Sequence, residues 1–553
     1  MRTLTLPQKV AQLVFIPFNG AAPHPRSRQY QRFLRLVRDV RVGGLILVNW
    51  ASGRVVERAE PHTLAAFVNR MQRLATVPLL VTGDFERGAS MRVSGATVFP
   101  HAMAFGAAGD PDLTRKQGDV TAREARAMGV HWVFYPVADV NNNPDNPIIN
   151  IRSFGENPES VARHVRAFIE GTRGAAGARV LTTAKHFPGH GDTAVDTHHR
   201  LATIPGDRER LDSVELVPFR AAIEAGVDSV MTAHLAVPAM GVGDMPATLS
   251  PAILAGLLRR ELAFKGLIVT DALDMGGVAK GYNSGEAAVR ALEAGADVLL
   301  MPPDAEQAVN AVVAAVRQGR ISQSRIDSSL ARVLAAKEQV GLHRRKLVDL
   351  HRIEDVVNAP ESNELAQQVA DRAVTLVKNE QGLLPLTTGS QAAYLLLAGS
   401  RSSTQGQIMA GEISKRVSGA LVVDLDPSVD VARTVQATAR KDVIVVAAYS
   451  QVGAYRSNAQ LAGDYPQLME ALIATGKPVV MVALGNPYLL RHYTRVTSYL
   501  TTFSTVEPSE VAAVKALFGE MDVRGRLPVS IPGLAVYGEG IQLVARSETP
   551  RVA

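Results

Sequence analysis

Residues 179–193 read RVLTTAKHFPGHGDT, and this stretch shows how the first half of the chain is built. Arg179–Lys185 is a short run of the kind that forms a strand buried on both faces of a parallel sheet. The proline and glycines that follow make a helix unfavourable over the next residues. A buried strand that ends in a cluster of polar side chains indicates an α/β fold with its active groups at the carboxyl ends of the strands.

Seven similar runs predict seven more strands: Val10–Phe18, Val42–Asn49, Pro78–Asp84, Val130–Val140, Ser229–His234, Gly266–Asp271 and Asp297–Met301. Helix signals lie between them. Asn157-Pro158-Glu159 is a capped start for a helix over Val161–Glu170 that Gly171 would end. Ser250–Glu261 begins in the same way, and Ser284–Ala294 is followed by Gly295. Eight strands that alternate with helices predict a (β/α)8 TIM-type barrel over residues 1–336, because a doubly wound sheet rarely carries eight units in one series.

The second half of the chain predicts a separate domain. Residues 337–375 are charged and weakly patterned, so we interpret them as a connecting arm. Residues 376–553 then predict an α/β sandwich domain whose five strands are Ala393–Leu397, Ala420–Leu425, Asp442–Tyr449, Pro478–Leu484 and Tyr499–Phe503. A chain of 553 residues agrees with two domains.

The composition excludes several classes of protein. The chain has no cysteine, which excludes disulfide scaffolds, thiolate zinc sites, iron–sulfur clusters and cysteine nucleophiles. The net charge of +6 comes from scattered basic residues, and aromatic residues make up 5% of the chain. The densest basic run, His343–Lys346, lies in the arm and is typical of a solvated surface, so no nucleic-acid partner is expected.

The sequence also bears on location. Its first ten residues contain no uninterrupted apolar segment of a secretory leader, and no run of roughly 18 apolar residues occurs further on. We therefore expect no membrane span and a cytoplasmic protein, or an exported one if a leader has been removed.

Polar residues follow several predicted strands where a core would not tolerate them. Asp84 ends the third strand, and Asp271 directly follows the apolar residues of the seventh. Taken alone, Asp84 suits an ion pair at the barrel rim and Asp271 suits a helix N-cap. Four of the chain's 13 histidines lie within Lys185–His199. His186 and His190 would have metal-ligand spacing only on a helix, which Pro188 opposes, so we expect no metal and no cofactor.

Together these segments resemble the β-N-acetylglucosaminidase branch of glycoside hydrolase family 3. The match consists of the unbroken block Lys185–Thr193, then Asp196-Thr197-His198, and later Thr270-Asp271. Arg152-Ser153-Phe154-Gly155 matches the arginine loop of that family, and Asp84 its first sugar-binding aspartate. The sequence after Asp84 departs from the commoner pattern of that family, which leaves part of the sugar pocket open to difference.

The resemblance implies a retaining β-N-acetylhexosaminidase that removes terminal N-acetylglucosamine through a covalent glycosyl-aspartate. It implies that Asp271 is the nucleophile and that His198, paired with Asp196, is the acid/base. It also implies four residues that bind the first sugar: Asp84, Arg152, Lys185 and His186. An imidazole with an unperturbed pKa of about 6.5 suits proton transfer near neutral pH, and a neighbouring carboxylate favours its charged form. The expected substrate is a small N-acetylglucosaminide, for example a muropeptide of peptidoglycan recycling or a chito-oligosaccharide.

Three other interpretations stay open at this point. A glycoside phosphorylase could use the same site, because a histidine repels phosphate less than a carboxylate does. A β-glucosidase of the same family is a second alternative, although Ala272 and the Asp196–His198 pair argue against it. A non-catalytic sugar-binding module is the third, and it should have lost part of the catalytic set, whereas this chain retains all of it.

Overall fold

A computed structural model describes residues 4–21, 23–52, 55–197, 200–399, 403–450 and 460–546. By its internal contacts the chain forms two compact units. The first unit comprises residues 1–97, 114–146 and 158–362, and the second comprises residues 98–113, 147–157 and 363–553. Among the described residues, no helix is long and apolar enough to cross a membrane.

The first unit is a closed parallel barrel. Its strands are β1 (Val14–Phe18), β2 (Gly44–Leu47), β3 (Leu80–Gly83), β4 (Trp132–Val133), β5 (Thr183–Phe187), β6 (Ser229–Thr232), β7 (Leu267–Val269) and β8 (Leu299–Leu300). Neighbouring strands pair in parallel around the ring, with single bridges joining β4 to β5 and β7 to β8. Phe15 of β1 pairs with Leu300 of β8, which closes the sheet. Short strand pairs outside the ring are Trp50–Ser52 with Val55–Glu57 and Ala202–Thr203 with Leu235–Ala236.

Side chains fill the inside of this barrel. The indole of Trp132 donates to Thr183 Oγ1 at 2.7 Å and to Ser229 Oγ at 3.0 Å. The ring of Phe15 packs edge-on against the same indole, with 5.7 Å between ring centroids. All four side chains are buried. A filled interior of this kind leaves the mouth of the barrel as the place for a site.

Helices connect the barrel strands. They span Leu6–Ala11, Arg28–Leu34, Arg35–Val40, Pro61–Leu74, Pro111–Ala127, Pro158–Gly174, Arg208–Arg210, Leu211–Glu215, Val217–Glu224, Ala252–Glu261, Gly276–Ala279, Ser284–Ala294, Ala305–Arg317 and Gln323–Gln339. Single helical turns occur at Ala89–Met91, Pro238–Met240, Ala247–Leu249 and Leu350–Arg352. The predicted helix end at Gly171 is wrong. A Cβ on Gly171 would lie 1.9 Å from the carbonyl oxygen of Arg115, so this glycine permits close packing of two helices and does not cap one.

The second unit contains a six-stranded sheet. Its strands are β9 (Thr375–Asn379), β10 (Ala392–Leu397), β11 (Leu421–Leu425), β12 (Val443–Ser450), β13 (Val479–Gly485) and β14 (Ser498–Thr501), in the order β9-β14-β13-β12-β10-β11. The helices of this unit are Ala102–Ala108, Pro360–Ala373, Gln407–Arg416, Val431–Ala437, Tyr465–Ala474 and Glu507–Phe518, with short turns at Asn150–Arg152, Glu380–Gly382 and Pro487–Arg491. Successive residues of β10 belong to different clusters: Leu395 packs with Leu468, and Leu396 packs with Leu517. Two apolar clusters on opposite faces of one sheet define the α/β sandwich.

The predicted fold class is confirmed: a TIM-type barrel is followed by an α/β sandwich. Strand β9 was not predicted, because residues 375–379 lie where the predicted arm meets the predicted sandwich domain and three of them are only half-buried. It pairs antiparallel with β14, whereas the other pairs of this sheet are parallel. The domain boundaries after residues 336 and 375 stay predictions.

Candidate active site

A cluster of charges joins the carboxyl ends of β3 and β5. Lys185 Nζ lies 2.8 Å from Asp84 Oδ1 and 2.8 Å from Glu86 Oε1. Arg92 Nη2 lies 2.7 Å from the other oxygen of Asp84. The Lys185 side chain is 2% exposed, so a buried ammonium holds two carboxylates at the mouth of the barrel. Such an arrangement fixes hydrogen-bonding groups in place before a ligand binds.

The charge state of Asp84 follows from its neighbours. Burial raises the pKa of Asp84, but the attraction of Lys185 and then of Arg92 outweighs burial and lowers the pKa to about 2. Asp84 is therefore a carboxylate at any pH near neutrality, able to accept hydrogen bonds from a ligand. Burial lowers the pKa of the adjacent Arg87 to about 10, although Glu86 opposes this shift.

We expect Lys185→Met to destabilise the protein by about 3 kcal/mol or more at pH 7, because it removes the buried cation that Asp84 and Glu86 share and leaves Arg92 as the ion-pair partner of Asp84. Lysine and methionine side chains have similar length, so the expected loss of stability is electrostatic. Urea unfolding followed by circular dichroism measures it. The matched control is Lys9→Met, since Lys9 Nζ also lies 2.7 Å from a carboxylate, that of Asp327, but this pair is partly exposed. That control should cost about 0–1 kcal/mol.

The effect of Lys185→Met should depend on pH. The pKa of Asp84 is lower in the folded protein than in the unfolded chain, so the folded state binds fewer protons. The contribution of Asp84 to stability is therefore complete above the unfolded pKa of about 4 and is lost as the pH falls through about 2. The loss of unfolding free energy caused by Lys185→Met should shrink below about pH 4, where protonation of Asp84 and Glu86 can compensate for the missing positive charge. If Lys185→Met lowers the free energy of unfolding equally at pH 7 and at pH 3.5, lost packing is the cause.

Asp139 organises the loop that follows β5. This fully buried carboxylate accepts from His186 Nδ1 at 2.7 Å, from the His186 amide at 3.1 Å and from the His190 amide at 2.7 Å. The bond to Nδ1 fixes the orientation of the His186 ring. Gly191 is required in the same loop, because a Cβ there would lie 1.7 Å from the carbonyl oxygen of Val140.

The next residues of this loop reach the segment after β7. The ring of His190 is held by Thr193 Oγ1 at 2.8 Å and by Thr197 Oγ1 at 3.0 Å. The amide of Gly277 donates to the carbonyl oxygen of Thr197 at 3.1 Å. Asp196 is buried. His198, the predicted acid/base, lies outside the described residues. Its neighbour Thr197 is joined through the Gly277 amide to the helix Gly276–Ala279, which begins five residues after Asp271.

Asp271 lies two residues after the end of β7 and is half-buried. Its Oδ1 accepts from the amide of Ala272 at 2.8 Å. The preceding Thr270 is fully buried and accepts from the Leu300 amide of β8 at 3.0 Å. His234, at the end of β6, contacts the carbonyl oxygen of Ala272 through Nε2 at 2.8 Å. The neighbouring strands thus hold the backbone on both sides of Asp271.

Arg152 belongs to the second unit. It ends the short turn Asn150–Arg152, and its Nη1 donates to the carbonyl oxygen of Ile148 at 3.0 Å. The second unit also contains the bond from Asn150 Nδ2 to Asn486 Oδ1 at 3.3 Å, which holds the turn. Arg152 is therefore presented by a segment that the sequence assigned to the barrel.

Within the described residues, no group of three or more histidines and carboxylates is placed to hold a metal ion. The sequence did not assign roles to Glu86, Asp139, His190 or His234, which hold the predicted site residues in position. Asp139 and His234 follow apolar strands in the same manner as Asp84 and Asp271, and this was the available signal. His190 lies within the block Lys185–Thr193, and Glu86 lies two residues after Asp84, but neither carried a distinguishing feature.

Comparison with models of known protein families shows to which family the chain belongs. Residues 5–336 match the glycosyl hydrolase family 3 N-terminal domain, and residues 374–544 match its C-terminal domain. The chain belongs to glycoside hydrolase family 3. The predicted family is thus confirmed, and the family 3 chain is a glycoside hydrolase.

Three proteins of known name are similar to the family 3 chain over most of its length. A beta-N-acetylglucosaminidase/beta-glucosidase of Cellulomonas fimi is 32% identical over 519 residues, which are 89% of each chain. The solved family 3 beta-N-acetylglucosaminidase of Paenibacillus sp. str. FPU-7 superposes with a TM-score of 0.83 at 35% identity and covers 95% of this chain and 99% of its own. A beta-glucoside phosphorylase has the same fold, with a TM-score of 0.84 at 24% identity over 95% of this chain and 94% of its own.

Proposed function

We propose that the family 3 chain is a retaining β-N-acetylhexosaminidase that removes terminal β-linked N-acetylglucosamine. In this proposal the carboxylate of Asp271 attacks the anomeric carbon while His198 gives its proton to the departing oxygen. His198 then takes a proton from water, which attacks the same carbon and releases Asp271. Asp196 orients the imidazole and favours its charged form.

The observation that carries this proposal is the bond from the Gly277 amide to the Thr197 carbonyl oxygen. It joins the residue before His198 to the segment that follows Asp271. A retaining mechanism needs a nucleophile and a proton donor on one substrate, and these segments come from strands separated by β6 in the ring. The threonine bonds of His190 support the same loop and so favour a defined position for the residues after it.

The charge cluster supports a sugar pocket. Asp84 is ionised and Lys185 is buried against it, so both present fixed polar atoms at the mouth of the barrel. The ring of His186 is oriented by Asp139. We propose that these three residues and Arg152 bind the hydroxyls of the first sugar, because polar groups that are already oriented lose little entropy on binding.

The names of two relatives favour N-acetylglucosamine as the sugar. The Paenibacillus enzyme is a beta-N-acetylglucosaminidase, and the Cellulomonas enzyme carries both beta-N-acetylglucosaminidase and beta-glucosidase in its name. We therefore propose that plain glucosides are secondary substrates. Muropeptides and chito-oligosaccharides are the natural substrates that this specificity suits.

We expect p-nitrophenyl N-acetyl-β-glucosaminide to be hydrolysed with a kcat/KM about tenfold or more above that of the β-glucoside, because only the former carries an acetamide for the site to recognise. Release of p-nitrophenol measures both rates. The control is the same pair of assays with a chelator, which should change neither rate, since the proposed residues need no metal. Faster turnover of the glucoside would contradict the proposed specificity.

Adding inorganic phosphate to this assay tests the phosphorylase alternative, which the fold of the beta-glucoside phosphorylase motivates. We expect the rate to stay unchanged and the sugar product to be free N-acetylglucosamine, identified by proton NMR. A rate that rises with phosphate and a sugar 1-phosphate product would reassign the reaction while leaving Asp271 as nucleophile.

A further inference from the structure

A cavity of about 410 Å³ lies at the amino end of the barrel, at the face opposite the candidate active site. His131 immediately precedes β4, Ala178 comes before β5, and Arg126 lies near the end of the helix Pro111–Ala127. Residues of the segment 345–361 form its other side. The segment includes Arg345 and Lys346, so two residues of the basic run His343–Lys346 line this cavity.

The lining of this cavity carries excess positive charge. Its cations are Arg123, Arg126, Arg345, Lys346 and Arg352, and its carboxylates are Asp349, Asp355 and Glu361. Two of these groups already have partners. Asp349 caps the short turn Leu350–Arg352 by accepting from the His351 amide at 3.1 Å, and Arg123 pairs with Asp119, with 2.9 Å between Nη2 and Oδ2. The excess of cations over carboxylates suits an anionic ligand.

Arg126 is the central cation. Its Nη2 donates to the carbonyl oxygen of Val340 at 3.1 Å, whereas its Nη1 is buried and has no hydrogen-bond partner. Burial lowers the pKa of Arg126, and the positive charge of Arg345 lowers it further. The group that acts most strongly on this arginine is thus a second arginine and not a carboxylate. A buried guanidinium nitrogen without a partner is costly unless a ligand or water satisfies it.

His131 adds a neutral donor to the same cavity. Its Nδ1 accepts from the Val81 amide at 3.2 Å, which places the ring proton on Nε2. Burial, with the charges of Arg126 and Lys337, lowers its pKa well below the usual range, so the ring stays neutral. Gly177 leaves open space at the edge of the cavity, because a Cβ there would meet no atom within 4 Å.

We propose that this cavity binds the phosphoryl group of a small metabolite, held by the guanidinium groups of Arg126 and Arg345. Arginine presents planar pairs of N–H donors that match the oxygens of a phosphoryl group. Arg345 donates through its Nε to the carbonyl oxygen of Leu347 at 3.3 Å. Both of its Nη atoms therefore remain for the ligand. The volume lies within the range of small-molecule sites and exceeds what inorganic phosphate alone needs.

Isothermal titration calorimetry with inorganic phosphate, at constant ionic strength set with chloride, tests this site in the full chain. We expect one phosphate to bind per chain, and Arg126→Gln and Arg345→Gln each to weaken it by about tenfold or more, as loss of a charge-assisted hydrogen bond predicts. Arg126→Gln also removes the bond to Val340 and could impair folding. Arg345→Gln avoids this problem, because the Arg345 side chain is exposed and bonds only to its own loop.

The matched control is Arg344→Gln, which removes the same charge from the residue before Arg345. Arg344 does not line the cavity. This variant should leave phosphate affinity unchanged. Equal affinity in all three variants would place phosphate elsewhere, for example in the catalytic site, and would overturn the inference. Absence of binding up to about 10 mM phosphate would overturn it as well. Neither result bears on the proposed hydrolase, whose tests concern the other end of the barrel.

Discussion

Asp271→Ala should reduce turnover of p-nitrophenyl N-acetyl-β-glucosaminide by about 10⁴-fold or more, because no other group would form the covalent intermediate. The good leaving group makes this test severe, since p-nitrophenolate departs without help from an acid. The expected loss of rate therefore reports the contribution of the attacking carboxylate alone. Initial rates with an enzyme concentration raised to compensate measure it.

The matched control is Asp274→Ala, which removes an exposed carboxylate three residues further along the same segment. It should keep activity within about tenfold of the wild type. Azide offers a second check, because a small anion can enter the space left in Asp271→Ala and attack the anomeric carbon itself. We expect azide to restore part of the rate and to give an α-glycosyl azide, the product of a single inversion.

A 5-fluoro N-acetylglucosaminyl donor should identify the same residue in the unmutated protein. Its fluorine slows both chemical steps by destabilising positive charge in the transition state, so the glycosyl-enzyme accumulates. Peptide mass spectrometry should find the added sugar on Asp271. A label on Asp274, or an Asp271→Ala variant that keeps its activity, would show that the nucleophile is another carboxylate.

The barrel could be predicted from the sequence because its strands are buried on both faces. Seven of the eight predicted runs contain a strand of the structure, for example β7 within Gly266–Asp271. The eighth, Arg179–Lys185, overlaps β5, which continues to Phe187. Burial on both faces leaves a continuous apolar run, which is a signal in the local sequence. Strand β9 lacks this signal, since its last three residues are only half-buried. Its pairing with β14 depends on residues more than 100 positions away, which no local pattern reports.

Gly171 shows a different limit. A glycine after an amphipathic run usually ends a helix, and the local pattern predicted such an end. The helix continues to Gly174. Glycine is required at position 171 because the carbonyl oxygen of Arg115, in another helix, occupies the space that a side chain would fill. A local rule gave way here to a packing requirement from elsewhere in the chain.

Asp84 and Asp271 were singled out because they follow strands, whereas the roles of the site residues came from the family resemblance and stay predictions. The groups that support these residues were not distinguished. Asp139 could be seen as a polar residue after a strand, yet its three hydrogen bonds to the His186–His190 loop depend on the positions of two neighbouring strands. Arg152 was assigned to the barrel because it lies between barrel strands in the sequence. The contacts of residues 147–157 are instead made within the second unit.

The second large effect concerns His198 and depends on the leaving group. A sugar alkoxide barely leaves without a proton, whereas a dinitrophenolate needs none. Removing a general acid typically costs about 10²–10⁴-fold, and we expect His198→Ala to show that loss on a disaccharide or muropeptide. Formation of the glycosyl-enzyme from a dinitrophenyl glycoside should be far less affected. Stopped-flow measurement of dinitrophenol release separates this first step from steady-state turnover.

The same histidine should act as base in the second step, so its loss should make hydrolysis of the intermediate slow. His198→Ala is therefore expected to release a burst of dinitrophenol equal to the enzyme concentration, followed by slow turnover. Asp196→Asn should give the same pattern less severely, because the imidazole remains but loses its orienting anion. His199→Ala is the matched control: it removes an adjacent histidine with no proposed role, and it should give neither a burst nor a dependence on the leaving group. If His198→Ala instead lowers every rate equally and gives no burst, His198 binds substrate, and the proton donor must be another group.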